Sequence, residues 1–103
     1  MVIYMKQWSE NADFDWDDGN TDKNWERHRV TDAECEEVFF NEPIVLRHDP
    51  SHSATEPRWR ALGQTDEGRY LFVAFTVRSG RLRIISAREM TRREKTFYEK
   101  NET

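Results

Sequence analysis

The stretch RYLFVAFTVR, residues 69–78, is almost continuously apolar. A run this short and apolar predicts a central strand covered on both faces. Ser79-Gly80 follows as a two-residue hairpin signal. RLRIIS (81–86) then alternates, with Leu82 and Ile84 on one face and Arg81, Arg83 and Ile85 on the other. Upstream, IVLRHD (44–49) and RWRALGQT (58–65) read as two further strands, with DEG (66–68) as a turn. FDW (14–16) is a short strand-like segment.

The helical period appears in two places marked by the same start signal. In TDAECEEVFF, Thr31 and Glu34 form an S/T-x-x-E capping box, each side chain meeting the other's free backbone N–H. Cys35, Val38 and Phe39 then fall at i, i+3 and i+4, which makes one face apolar and leaves the acids wet. Asn41 and Pro43 end that helix. Thr91 and Glu94 repeat the box and open a last helix running to about Asn101. Residues from about Asn20 to His28 are helix-compatible. The predicted order is β-α-α-β-β-β-β-α: an α+β fold, with an antiparallel β-meander between two N-terminal helices and one C-terminal helix. The helices are expected on one sheet face. Residues 1–13 are weakly patterned and read as an N-terminal extension, and 14–103 as a single domain.

Composition narrows the class. The chain has 103 residues, 35% of them charged, with four Trp, six Phe and three Tyr. That aromatic content argues for a packed core rather than disorder. No apolar run approaches the ~18–20 residues that cross a bilayer. The start, MVIYMKQW, lacks the basic region and long apolar core of a signal peptide. Cys35 is the single cysteine, so no internal disulfide forms, and a cytoplasmic location is expected.

Charge changes the picture further. The formal net charge is −4, yet residues 1–49 hold thirteen acids against five bases, and residues 50–103 hold seven against eleven. Such asymmetry suits either a polyanion-binding surface or mutual neutralisation of the halves. Six of the fifteen residues in RLRIISAREMTRREK (81–95) are basic. Arg81 and Arg83 project from one strand face, about 7 Å apart. Arg92 and Arg93 fall in the first turn of the last helix, where a cation is unfavourable by a few tenths of a kcal/mol. A bound anion would reverse that sign, and Arg pairs bidentately with phosphate. RNA binding through Arg81, Arg92, Arg93 and Lys95 follows as an expectation. The bland alternative is that these cations are solvated, or bridge to acids of the first half.

Four stretches carry a resemblance: WDDGNTDKNWERHRV (16–30), TDAECEEVFF (31–40), DPSHSATEPRWRALGQ (49–64) and RLRIISAREMTRREKTFYE (81–99). In this order they resemble the BrnT family of type II toxin–antitoxin toxins, which have a RelE/ParE-like fold. The positions matching the family pattern are Asn24, His28, His52, Glu56, Arg58, Arg83, Ser86, Arg88, Glu94 and Tyr98. Two positions depart from it: Asn20 stands where Lys is usual, and Arg29 where Gly is usual. A Gly there would serve as a helix C′ residue with positive φ.

The resemblance implies a ribonuclease that cleaves RNA and arrests growth. A BrnA-like antitoxin would neutralise it, and the pair would repress its own operon through antitoxin-bound operator DNA. Metal-independent cleavage needs a base for the 2′-OH, cations for the phosphate and an acid for the 5′-oxygen. Arg83 and Arg88 suit the cation role. His28 is the candidate acid or base, with Tyr98 and Glu94 as weaker candidates, Glu94 capping its helix first. No cofactor and no metal are expected: His48, Asp49 and His52 in HDPSH do not have metal-ligand spacing. A second reading is a catalytically silent module that binds its antitoxin and assists autoregulation. Cys35 is expected in the core, and Trp59 is expected to be buried rather than to stack on bases.

Overall fold

A computed structural model describes residues 2–4, 13–50 and 56–101. Its elements are β1 (Val2–Tyr4), α1 (Lys23–His28), α2 (Asp32–Phe40), β2 (Val45–His48), β3 (Arg58–Gln64), β4 (Tyr70–Arg78), β5 (Arg81–Glu89) and α3 (Arg92–Lys100). The five strands form one antiparallel sheet in sequence order. The α+β class and the element order match the reading of the pattern, but the first strand does not. Val2–Tyr4, within the stretch read as an extension, pairs with β2. FDW instead makes one parallel bridge, Phe14 to Leu82, along the outer edge of β5. With aspartates at 13, 15, 17 and 18, this segment has only Phe14 and Trp16 to bury and cannot extend the sheet further.

Both capping boxes form. The Glu34 N–H donates to Thr31 Oγ1 at 3.0 Å and the Thr31 N–H to Glu34 Oε1 at 3.0 Å. The corresponding distances at Thr91 and Glu94 are 3.2 and 2.9 Å. Helix α1 starts later than expected, because Asp22 takes a left-handed φ of 60°. It ends on Arg29 at φ 56°, the conformation for which the family pattern has Gly.

The two sheet faces are covered by different helices. Cys35, Val38 and Phe39 of α2 pack on Leu46, Ala61, Leu71, Val73, Phe75, Leu82 and Ile84. Phe39 meets Phe75 edge-on at 5.0 Å between ring centroids. On the opposite face Tyr98 of α3 packs with Val45 and Leu62, flanked by Tyr70, Phe72 and Phe97. The expectation of all helices on one face is therefore corrected. Strand β4 is apolar on both sides, as the sequence indicated, and each side needs cover. Cys35 is fully buried, and burial pushes its thiol up to about 12, so it is an inert core residue. Trp59 is partly buried against the first core and meets His48 edge-on at 5.2 Å.

Candidate RNA-binding and catalytic face

Strand alternation collects arginines on the α3 side of the sheet. The register sets Arg47 opposite Arg60, Arg58 opposite Thr76, Arg78 opposite Arg81, Thr76 opposite Arg83 and Phe72 opposite Arg88. Facing pairs share a face, so Arg47, Arg58, Arg60, Arg78, Arg81, Arg83 and Arg88 all stand there. A bulge at Ala74/Phe75 leaves Ile85 without a partner. It keeps Ser86 and Arg88 in phase with Arg83 despite three and five intervening steps along the strand.

Two adjoining hollows lie between this face and α3. One, of about 370 Å³, is lined by Asp49, Arg58, Ala74, Ile85, Ser86 and Arg88. The other, of about 280 Å³, is lined by Val45, Arg47, Leu62, Arg93 and Phe97. Arg60, Phe72 and Glu94 belong to both. Glu94 is placed there by the capping box, which fixes it in the first turn of α3.

Carboxylates hold most of these arginines. Arg88 donates to Glu94 Oε1 at 2.7 Å and to Oε2 at 2.9 Å, with its guanidinium 4.1 Å from the Phe72 ring centroid. Arg60 pairs with Asp49 at 3.2 Å and Arg78 with Glu56 at 2.8 Å. At the β5 edge Arg83 donates to both oxygens of Asp17 at 3.0 and 2.9 Å and lies 3.6 Å from Asp15. Arg81 pairs with Asp13 at 3.2 Å and donates to the Phe14 carbonyl at 2.6 Å. Asn20 pins this acidic strap: its amide donates to the Asp15 and Ile84 carbonyls at 3.0 Å each, and its Oδ1 accepts from the Asp17 N–H at 2.9 Å.

These contacts set the titration. Burial works to raise the Glu94 carboxyl, but Arg88 and the Thr91 N–H together outweigh it and hold it below its ordinary value. The Arg83 hydrogen bond, helped by the Gly19 N–H, lowers Asp17 in the same sense. Both are carboxylates at neutral pH. The Glu94 bond pushes Arg88 up, so it remains a cation throughout the working range. The larger hollow can thus bind an anion between Arg58, Arg60 and Arg88, with the Glu94 and Asp49 carboxylates beside it as proton acceptors.

The sequence-derived candidates fall into three groups. Arg81, Arg83 and Arg88 share the face, and Ser86, Arg58 and Glu94 line the larger hollow with Arg88. Arg93 and Phe97 line the smaller hollow and, with Arg92 and Lys100, a shallow surface that continues along α3, and Lys95 lies 4.7 Å from the Tyr70 ring centroid. Tyr98 and His28 are elsewhere. Tyr98 is fully buried, and its hydroxyl donates to the Pro43 carbonyl at 2.7 Å, so it is a core residue unable to reach an RNA. His28 is exposed at the end of α1, where its carbonyl accepts from Arg69 at 3.4 Å, apart from the arginine face. Asn24 is buried under β5 and accepts from the Ala87 N–H at 2.8 Å, a structural role. Glu56 binds Arg78, and His52 lies outside the described residues.

Arg47, Arg60, Asp49 and Phe72 are the site residues that sequence reasoning missed. The alternation in Arg58-Trp59-Arg60 was the available signal for one of them. Among the described residues no three His, Cys, Asp or Glu gather as metal ligands, and no helix is long and apolar enough to cross a membrane. No curated protein matches the chain. A family model does: residues 16–94 match the one described as the ribonuclease toxin, BrnT, of type II toxin–antitoxin systems.

Proposed function

The chain belongs to the BrnT family of ribonuclease toxins of type II toxin–antitoxin systems, and from this we propose that it cleaves RNA on the arginine face beneath α3, without a metal ion. A toxin of this class has an antitoxin partner and an RNA substrate. The observation that carries the reading is the convergence of Arg58, Arg60 and Arg88 with the Glu94 carboxylate around one hollow.

The reaction needs little beyond this set. The scissile phosphate lies against Arg58, Arg60 and Arg88, whose paired donors stabilise the charge that builds on its oxygens. Glu94 accepts the 2′-OH proton as the 2′-oxygen attacks phosphorus, and the 5′-oxygen leaves with a proton taken from water. Its lowered pKa makes it a weak base, which predicts modest turnover. Arg83 and Arg81, at the β5 edge, extend the track for the flanking backbone. Growth arrest follows from RNA loss. A BrnA-like antitoxin, positioned over the same cationic face, would block it in the cytoplasm and carry the pair to operator DNA for autorepression.

A second reading has one observation in its favour. Each of Arg81, Arg83 and Arg88 already holds a carboxylate. A catalytically silent module that only binds its antitoxin would look the same. Purified protein incubated with labelled RNA in EDTA separates the two. Cleavage that survives EDTA and falls at least about a hundredfold in Arg60→Ala/Arg88→Ala is expected. Intact RNA with the folded wild-type protein leaves the silent module. Cleavage abolished by EDTA alone would overturn metal independence.

A further inference from the structure

The smaller hollow is not needed to bind a phosphate, and its walls differ in kind from those of the larger one. Its lining is largely apolar, made of Val45, Leu62, Phe72 and Phe97. Arg47, which is exposed, lies 5.8 Å from the centroid of the Phe97 ring. At about 280 Å³ the hollow is slightly smaller than the usual small-molecule site, suited to one flat ring system rather than a helix or a peptide strand. It opens beside the catalytic hollow and shares Arg60, Phe72 and Glu94 with it.

We propose that this hollow is a nucleobase subsite that prefers guanine, taking the base next to the cleaved phosphate; the proposal rests on the ribonuclease reading above. Stacking on Phe97, with Arg47 above, supplies sequence-independent attraction. Selectivity comes from the rim. Its polar groups are the Arg47, Arg60 and Arg93 guanidiniums, which only donate, and one carboxylate. Glu94 already accepts from two Arg88 nitrogens and the Thr91 N–H. A base that fits a donor-rich rim must present acceptors. Guanine offers O6 and N7 side by side to one guanidinium, whereas adenine sets its N6 amino group against it. Arg93, which has no ion-pair partner among the described residues, is the group placed to make that pair.

Binding of guanosine, adenosine, cytidine and uridine 3′-monophosphates to the full chain tests this without needing cleavage. Titration calorimetry gives the constants, and NMR of the Phe97 ring locates the site. The guanosine nucleotide is expected to bind about tenfold or more tightly than the others. Arg93→Ala is expected to erase that preference. Phe97→Leu keeps the apolar packing and removes the ring face, and is expected to weaken all four nucleotides about fivefold or more. Equal affinity for the four, or guanosine binding unchanged in both variants, overturns the proposal. So does a hollow that ignores nucleotides but loses its Phe97 signals on antitoxin binding, which would assign it to the partner protein. The two readings fail separately. Guanosine binding without RNA cleavage keeps the subsite and removes the ribonuclease, and cleavage indifferent to base removes only the subsite.

Discussion

Glu94→Gln separates the structural and chemical roles of the carboxylate at the centre of the face. Gln at this position preserves the capping-box shape, because its amide oxygen still accepts from the Thr91 N–H. What it removes is the charge facing Arg88. The pair is bidentate at 2.7 and 2.9 Å, with the two side chains 33% and 24% exposed. Fully exposed pairs contribute about 0.2–1 kcal/mol, and this one, partly shielded and doubly bonded, belongs at the upper end. Losing an anion from the first turn of α3 adds about 0.3–1 kcal/mol. A total near 1.5 kcal/mol lowers the midpoint of a domain this size by roughly 6–12 °C.

The loss has a definite pH signature. The folded Glu94 titrates below the ordinary glutamate value of 4.5, so on acidification the unfolded chain takes up the proton first. Its stabilisation is therefore complete above pH 4.5 and disappears as the pH falls through the folded pKa. Wild type and variant should differ at pH 7 and converge in acid. Thermal melts across that window measure it. On RNA the two roles pull in opposite directions. Arg88, released, should bind phosphate more tightly and steepen the log K against log salt slope by about 0.7. Single-turnover cleavage should fall about 10²–10⁴-fold with the base gone. A variant that binds and cleaves RNA like wild type would remove the Arg88–Glu94 pair from the site and refute the assignment.

Three further substitutions probe neighbouring features. Asp17→Asn loosens the carboxylate that grips Arg83 at the β5 edge, so fluorescence anisotropy should register tighter, more salt-sensitive RNA binding; unchanged affinity would mean Arg83 lies off the RNA path. Tyr98→Phe deletes the bond to the Pro43 carbonyl, which should cost about 1 kcal/mol in denaturant melts and leave cleavage at the wild-type rate; a collapse of activity in a folded variant would return Tyr98 to the catalytic set. Gly63→Ala would bring a Cβ to 2.9 Å from Val38 Cγ1; calorimetric unfolding should record a loss of about 1–3 kcal/mol from overpacking between β3 and α2.

What the sequence disclosed was local, and what it hid was register. Thr31 with Glu34 and Thr91 with Glu94 announce their helices because a capping box is complete within four residues. The burial of Cys35, Val38 and Phe39 follows from a spacing that one helix turn decides. The arginine face has no such compact signature. Arg47 joins Arg60, and Arg58 joins the β5 arginines, only once four strands are paired. A slip of one residue would have turned each of them to the opposite face. The bulge that brings Ser86 and Arg88 into phase with Arg83 is equally silent in the alternation of RLRIIS. Tyr98 entered the candidate set because it matches the family pattern, and a matching position does not show that the side chain is buried in the core. The misplaced first strand has a similar cause: three apolar residues at 2–4 carry less signal than FDW, but they find an unpaired edge on β2.

An acidic chain can hold a cationic face because its acids pair with those arginines along one sheet edge and, on the proposed reading, compete with RNA there rather than repel it from afar. The Asp13, Asp15 and Asp17 strap lies along the β5 edge at the spacing of alternate residues, opposite Arg81 and Arg83. A phosphate backbone arriving there exchanges one anion for another, so each contact contributes only the difference between two ion pairs. The guanidiniums are meanwhile held extended and ordered before substrate arrives, which removes part of the entropic cost of binding. With the net charge at −4, long-range attraction to RNA is weak, and ionic strength screens what remains beyond about 8–10 Å. On the proposed reading, recognition then depends on short-range replacement of carboxylates in one place, under α3. On the same reading that arrangement favours slow, selective cleavage over indiscriminate RNA binding, and it gives an antitoxin a simple route to inhibition: supplying carboxylates to the groove arginines as the strap already does at the edge.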